Sequence, residues 1–207
     1  MPCKQEAEID EYTKAIEEEP DSVSVYLLRA DCYRKMGEYV KAVADYTKAI
    51  ELEPEKGGGY RWRGNAYSEA GKSIEAIRDY SEAIQRGTTI DVYWRRGDLY
   101  CRQGEFDKAL LDYTADIELN DWDYHAYQKR GDLLYARGEY EQALADYTKR
   151  IAIGVESSEA YCRRGEIYNK LGKYELAFAD YAKALEINQK NAKAKQLQAE
   201  LYAKIEY

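Results

Sequence analysis

A tyrosine recurs along this chain at a nearly constant interval. Consecutive members of the series are 34, 34, 33, 34 and 34 residues apart, and they are Tyr12, Tyr46, Tyr80, Tyr113, Tyr147 and Tyr181. A glycine followed by a charged residue recurs half a period away, at Gly37, Gly71, Gly104, Gly138 and Gly172. Self-similarity at a period of this size is typical of repeat architectures, in which copies of one small unit stack on each other.

Each period predicts two amphipathic helices joined by a glycine turn. The glycines supply the left-handed conformation just past the first helix, and Pro20 and Pro54 stop the second one. The predicted helices span 4–18, 23–36, 39–52, 57–70, 73–86, 91–103, 106–118, 124–137, 140–153, 158–171, 174–187 and 191–206. Because β-branched residues never cluster in alternating runs, the sequence does not support a sheet, and the predicted fold class is all-α.

The residues of each period resemble the tetratricopeptide repeat (TPR) family. An aromatic residue, a small residue and an alanine recur in register, at Tyr26, Tyr60, Tyr93, Tyr127 and Tyr161, at Ala30, Gly64, Gly97, Gly131 and Gly165, and at Ala42, Ala76, Ala109, Ala143 and Ala177. The resemblance covers nearly the whole chain and implies a single solenoid domain, an α-α superhelix over 1–207. It places a leading helix at 4–18, five full repeats at about 23–56, 57–89, 90–123, 124–157 and 158–190, and a polar capping helix at 191–206.

Most of the conspicuous residues have a structural interpretation. Small residues let the two helices of a repeat approach closely, and the recurring tyrosines are expected to fill the space between them. They belong to the two series given above and to a third one, at Tyr33, Tyr67, Tyr100 and Tyr168. An arginine precedes an aspartate by 16 residues in every repeat, and an antiparallel hairpin brings such residues together. We therefore predict a series of structural ion pairs, Arg29–Asp45, Arg63–Asp79, Arg96–Asp112, Arg130–Asp146 and Arg164–Asp180.

Two features depart from the family pattern. Asp116 and Arg150 occupy a position that is usually small and buried, one period apart, so stacking of neighbouring repeats could pair them. In the alternative, both polar tips reach solvent along their stems. The loop after Gly87 is one residue short and lacks the proline, which could locally change the step between repeats.

The sequence offers little material for catalysis or for a cofactor. His125 is the only histidine, which excludes a zinc or Ser-His site built on several histidines. Gly57, Gly58 and Gly59 lack the following Lys-Ser/Thr of a phosphate loop. The four cysteines have no ligand spacing, and they are Cys3, Cys32, Cys101 and Cys162. We therefore expect no enzyme activity, no metal and no cofactor.

Charge and cysteine usage bear on compartment and partners. The net charge is −8, which argues against nucleic-acid binding, because such binding needs a basic footprint. No window resembles a transmembrane helix, and the segment 1–19 does not resemble a signal peptide. Free thiols in a reducing compartment are the simplest interpretation of the cysteines. We expect a cytoplasmic protein with no membrane partner, either a monomer or a weak homo-oligomer.

The resemblance also implies a binding surface. In this family the first helix of each repeat lines a concave groove, where ligand peptides usually lie. Mapped onto this chain, the candidate partner-binding residues are Arg61, Trp62, Asn65, Trp94, Arg95, Asp98, His125, Lys129 and Arg163. The groove positions carry about as many cations as acids, so this face is relatively basic within an acidic chain. A partner with acidic groups or a C-terminal carboxylate would suit it.

Two alternatives remain open at this surface. Arg61 and Asn65 partly match a clamp that holds a partner's C-terminal carboxylate in some family members, but Asp98 and Asp132 could instead neutralise Arg95 and Lys129 locally. Trp62 and Trp94 fit either an interaction hot spot or half-buried packing. Trp122, in a loop between repeats, is a weaker second candidate contact.

The expected function is that of a scaffold or adaptor that binds a peptide or helix of a partner protein in the groove. A structural solenoid that associates with itself is the first alternative, and a module of a larger multidomain protein is another. An enzyme is the least favoured interpretation, because no acid, base or nucleophile constellation is evident.

Overall fold

Twelve α-helices follow one another in the computed structural model, which describes residues 4–154 and 156–205. They are α1 (Lys4–Glu18), α2 (Val23–Lys35), α3 (Tyr39–Leu52), α4 (Gly57–Glu69), α5 (Ser73–Gln85), α6 (Val92–Arg102), α7 (Phe106–Leu119), α8 (Tyr124–Ala136), α9 (Tyr140–Ala152), α10 (Ser158–Lys170), α11 (Tyr174–Ile187) and α12 (Ala192–Ile205). No strand occurs within the described ranges. The all-α prediction is confirmed, and the predicted helix bounds agree to within a residue or so.

The start of α6 differs from the prediction by one residue, next to the short loop after Gly87. The predicted helix begins at Asp91, but Asp91 adopts the left-handed conformation (φ 60°), and the helix begins at Val92. A loop with one residue fewer must turn more sharply, and aspartate is among the few residues that tolerate this conformation. Arg86 of the same loop donates from Nε to the carbonyl of Pro54 at 2.7 Å.

Glycine ends the first helix of each hairpin as predicted. At the end of α2, Gly37 has φ +77° and donates its N–H to the carbonyl of Arg34, while Glu38 donates to the carbonyl of Tyr33. These two bonds form a Schellman cap, which satisfies carbonyls that the helix leaves open.

The chain divides into two compact units between Glu105 and Phe106, so each is described by itself. In the first unit, α2 packs on α3 and α4 on α5, and α1 and α6 pack at the two ends of this pair of hairpins. In the second unit, α8 packs on α9 and α10 on α11, with α7 against α8 and α12 against α11. Helix α12 buries Ala194 and Leu201 and exposes most of its charged residues, as expected of a polar cap.

The recurring tyrosines of the second helices form the core. At most 1 % of each of the five side chains is exposed, and they are Tyr46, Tyr80, Tyr113, Tyr147 and Tyr181. Close approach makes room for them: a Cβ added to Gly64 would lie 2.8 Å from Tyr80 Cε1. The tyrosines at the other two aromatic positions, which were also expected in the core, are buried less completely. Tyr26 and Tyr127 are buried, and the others are half-buried.

Four of the five predicted arginine–aspartate pairs are confirmed. Each arginine donates from Nε and Nη2 to the two carboxylate oxygens at 2.7–2.9 Å, in the pairs Arg29–Asp45, Arg63–Asp79, Arg130–Asp146 and Arg164–Asp180. These bonds raise the pKa of each arginine. The fifth pair, Arg96–Asp112, involves residues of different units and stays a prediction.

Asp116 and Arg150 are both buried in the second unit, with exposed fractions of 6 % and 4 %. The alternative in which their tips reach solvent is therefore wrong, and the guanidinium of Arg150 lies 4.6 Å from the ring centre of Tyr124. Their pairing with each other stays a prediction.

No helix in the described part of the chain is both long enough and apolar enough to cross a membrane. The cysteines that the structure describes, Cys32, Cys101 and Cys162, form no disulfide, and Cys3 lies outside the described residues.

Candidate functional site

Two arginine–tryptophan stacks lie on the first helices of the first unit. On α4 the guanidinium of Arg61 lies 4.4 Å from the ring centre of Trp62, and on α6 that of Arg95 lies 4.4 Å from Trp94. In each stack the two residues are adjacent in sequence and both side chains are partly exposed. A cation over the face of an indole is attracted by its quadrupole, so each stack presents a flat surface that carries a positive charge.

The two tryptophans are neither free-standing nor fully buried. Trp62 packs against the buried cluster that contains Ala30, Tyr46 and Ala66. Trp94 donates from Nε1 towards Asp91 Oδ1 at 3.4 Å. Packing thus anchors Trp62 and a hydrogen bond anchors Trp94, while both side chains remain partly exposed. Their role as an interaction hot spot stays a prediction.

Asn65 differs from the expectation that it lies open in the groove. Only 7 % of it is exposed, because the hydroxyl of Tyr80 donates to its Oδ1 at 2.8 Å. This hydrogen bond holds the amide against the second helix of the repeat. The prediction that Asn65 is exposed is wrong, and the partial match to a carboxylate clamp weakens with it.

The position of Asn65 carries an acid in the repeats of Tyr46, Tyr147 and Tyr181, and the core hydroxyl does not meet it in the same way in all three. In the second unit Tyr147 donates to Asp132 Oδ1 at 2.7 Å. The hydroxyls of Tyr46 and Tyr181 have no partner in the described residues, and the acids of their repeats bind other groups. Asp31 pairs with Arg34 and Lys35 at 2.7 and 2.6 Å, and Glu166 pairs with Lys193 at 2.6 Å.

A cleft on the first unit lies beside this unpartnered hydroxyl. Its volume is about 420 Å³, and it is lined by Leu27, Leu28, Asp31, Arg34, Lys35, Tyr46 and Trp62. Leu28 is 49 % exposed, although it is apolar. The sequence reasoning did not single out this cleft. Two adjacent leucines at surface positions of α2 were the available signal.

Burial and charge set the electrostatics of the cleft. Loss of hydration raises the pKa of Tyr46 to about 12, and the negative charge of Asp31 adds to this effect. Burial opposes the charge on Arg34, but hydrogen bonding to Asp31 and the charge of Glu69, whose Oε1 lies 2.5 Å from Nη1, raise its pKa. The hydroxyl is therefore a neutral donor and the guanidinium a permanent cation at ordinary pH.

The second unit carries three of the predicted site residues on α8 and α10, whereas Asp98 is half-buried on α6 of the first unit. His125 is exposed and its ring centre lies 4.0 Å from that of Tyr124, while Lys129 is half-buried on the next turn. Arg163 on α10 lies 3.2 Å from Asp132 of α8 and 3.3 Å from Glu166 of its own helix. Asp132 therefore has a partner in the next repeat, which the expected local pairing did not include.

Other candidate features of the sequence can also be located in the structure. Trp122 is 67 % exposed, and Lys149 lies 5.8 Å from its ring centre. A Cβ on Gly57 would meet Thr88 Oγ1 at 2.5 Å, so this glycine is explained by packing. The described residues contain no group of three or more His, Cys, Asp or Glu placed to hold a metal ion.

Stacked helical hairpins, a core of recurring tyrosines and accessible first helices define a helical repeat protein. A family model described as tetratricopeptide repeat matches residues 23–56 and 158–191, and a second one, described as TPR repeat, matches residues 131–172. Over these residues the chain consists of tetratricopeptide repeats, which confirms the resemblance seen in its sequence. No curated protein sequence matches it significantly.

Solved structures with a similar fold include the following three. YrrB, described as a TPR protein with an unusual peptide-binding site, is 25% identical with a TM-score of 0.75, and the match covers 91% of this chain and 97% of that one. MamA is 26% identical with a TM-score of 0.74, covering 84% and 96%. The first TPR of Spaghetti (RPAP3), bound to the HSP90 peptide SRMEEVD, is 24% identical with a TM-score of 0.54, covering 56% and 92%.

Proposed function

We propose that this chain is a protein-interaction scaffold that binds a peptide or helix of a partner protein along the first helices of its repeats. In the first unit these helices are α2, α4 and α6, and in the second they are α8 and α10. YrrB supports the proposal, because it shares the fold along most of both chains and is described as having a peptide-binding site. No catalytic role and no cofactor are proposed.

The observation that carries the proposal is the pair of stacks, Arg61 on Trp62 and Arg95 on Trp94. Tryptophan and arginine, together with tyrosine, are enriched at the energetic centres of interfaces. Packing holds Trp62 and a hydrogen bond to Asp91 holds Trp94, and both side chains are partly exposed, so ordering them on binding should cost little free energy.

The charge of these residues suggests the chemistry of the partner. Arg61 and Arg95 in the first unit and Lys129 in the second give the first helices cations within a chain of net charge −8. A peptide with acidic side chains would complement them, and we favour such side chains over a carboxylate clamp because Asn65 is buried against Tyr80. The proposed setting is the cytoplasm, where the thiols would stay reduced.

A random peptide library panned on the immobilised chain tests the proposal. Enriched peptides are synthesised and their affinities measured by fluorescence anisotropy for the wild type and for a Trp94→Ala/Arg95→Ala variant. We expect binding to weaken at least about ten-fold in the variant. The matched control is Trp122→Ala/Lys149→Ala, which removes a cation and a tryptophan outside the first helices. Equal affinities for wild type and the first variant would contradict the proposal.

The same complexes give the working oligomeric state. We propose that a monomer, or at most a weak homo-oligomer, binds one peptide per chain. Sedimentation of the complex at several concentrations measures this stoichiometry, and a tight dimer that binds no peptide would favour self-association as the function instead.

A further inference from the structure

We infer that the cleft on α2 binds a leucine-sized apolar side chain of a partner segment and hydrogen-bonds to a backbone carbonyl of that segment. This inference rests on the proposed function and specifies one part of its ligand. The partner would then carry an apolar residue for this cleft in addition to acidic residues for the arginine–tryptophan stacks.

The cleft has an apolar lining. Leu27 and Leu28 form one wall and the ring of Trp62 forms another, around a volume of about 420 Å³. Trp62 is held in place by the core beneath it, so the cleft exists before any ligand arrives. A preformed apolar cleft of this kind gains affinity by removing both its own surface and that of the ligand from water.

The cleft is also lined by two residues with hydrogen-bond donors that have no partner within the described residues. Tyr46 and Arg34 both line the cleft, and within the described residues neither Tyr46 Oη nor Arg34 Nε has a hydrogen-bond partner, although both atoms are buried. Such atoms are uncommon in folded proteins, because a buried donor without an acceptor loses its hydration and gains nothing in return. The equivalent hydroxyls of Tyr80 and Tyr147 do have acceptors, namely Asn65 and Asp132.

The acceptor is a neutral carbonyl rather than a carboxylate. The charges that surround the cleft already balance, because Asp31 lies between Arg34 and Lys35 and Glu69 lies 2.5 Å from Arg34 Nη1. An added carboxylate would meet two acids at close range, whereas the carbonyl of a peptide bond accepts from both donors without a charge. The hydroxyl of Tyr181 in the second unit also lacks a partner, so an unpartnered hydroxyl alone does not distinguish this cleft. Its leucine lining does, because Leu28 is 49 % exposed.

The test uses a neutral probe, N-acetyl-leucine N-methylamide, with its alanine analogue as the matched ligand. Two-dimensional amide NMR of the full chain follows the titration. We expect the leucine probe to shift the resonances of Leu27, Leu28 and the Trp62 indole, and to bind more tightly than the alanine probe. Tyr46→Phe should weaken binding roughly five-fold by removing one donor, and Leu28→Asp should abolish it.

Tyr80→Phe is the control, because it removes the same atom from a tyrosine whose hydroxyl already donates to Asn65, and it should leave the affinity for the probe unchanged. Absence of shifts at Leu28 and Trp62, or equal binding by wild type and Tyr46→Phe, would overturn the inference. Failure of the probe while library peptides still depend on Trp94 and Arg95 would leave the proposed function standing. Binding of the probe without any enriched peptide would count against the proposed function alone.

Discussion

Arg63 Nε and Nη2 donate to the two carboxylate oxygens of Asp79 at 2.7 and 2.9 Å, and its Nη1 donates to Thr47 Oγ1 at 3.0 Å. Asp79 belongs to the same repeat, whereas Thr47 lies on the second helix of the preceding one. One guanidinium therefore joins three helices, α3, α4 and α5. Arg29 and Arg130 bond in the same way to the aspartate of their own repeat, and each also donates to a threonine of the preceding helix, Thr13 and Thr114 respectively. This link therefore recurs in both units.

Removal of one partner of the Arg63–Asp79 pair should destabilise the chain strongly. Asp79 is 1 % exposed, so Arg63→Ala leaves a buried carboxylate without its counter-ion, and we expect a loss of about 3–5 kcal/mol in the free energy of unfolding. Guanidinium denaturation followed by circular dichroism measures it.

Two controls make this result interpretable. Lys183→Ala removes an exposed pair with Glu186 and should change the free energy of unfolding far less than Arg63→Ala does. The double variant Arg63→Met/Asp79→Leu should be less destabilised than Arg63→Ala. A double variant as unstable as the single one would show that the buried charge is not the cause.

Loss of the hydroxyl should change stability differently at two equivalent tyrosines. Tyr80→Phe removes the donor to buried Asn65 and should cost about 1 kcal/mol, whereas Tyr46→Phe removes a hydroxyl without a partner and should be neutral or stabilising. Thermal unfolding of both variants checks this. Equal losses at the two sites would mean that the Tyr46 hydroxyl has an acceptor in solution.

Alanine in place of two glycines of the same helix should change stability in opposite directions. A Cβ at Gly64 would lie 2.8 Å from Tyr80 Cε1, and overpacking of this kind costs about 1–3 kcal/mol. At Gly58 nothing lies within 4 Å of the added atom, so Gly58→Ala should stabilise α4 by up to about 1 kcal/mol. Urea denaturation measures both, and a destabilising Gly58→Ala would contradict the packing described for α4.

Alkaline pH should unfold the chain through its core tyrosines. Burial raises the pKa of Tyr46 and Tyr80 from 10.0 to about 12 and also raises that of Tyr147 and Tyr181. The folded state holds the phenol protonated, so this stability is fully present below pH 10 and is lost as the pH rises through about 12. Phenolate absorbance should therefore rise in two phases, the second coinciding with loss of helical signal. A single phase without unfolding would contradict this.

Periodicity explains how much of the fold could be predicted from the sequence. Helix bounds, the core tyrosines and the 16-residue spacing of Arg63 and Asp79 all depend on the position of a residue within one repeat. The left-handed Asp91 could not be predicted in the same way, because it depends on how a shortened loop closes.

The candidate site was predictable only in part, because contacts between side chains decide it. Trp62 and Trp94 were placed correctly on first helices, but Asn65 is buried because Tyr80 reaches it. Asp31 occupies the same position as Asn65 and turns to Arg34 instead, which leaves Tyr46 unpartnered. Identical positions thus acquire different environments from neighbours that the repeat pattern does not specify.

The central claim is that the first helices bind the partner, and photo-cross-linking tests it most directly. A library-selected peptide that carries a photoreactive group is irradiated with the full chain, and the attached residues are mapped by mass spectrometry. We predict attachment to α2, α4 and α6 in the first unit, with loss of attachment in Trp94→Ala/Arg95→Ala. Attachment confined to the second helices α3 and α5 would contradict the account.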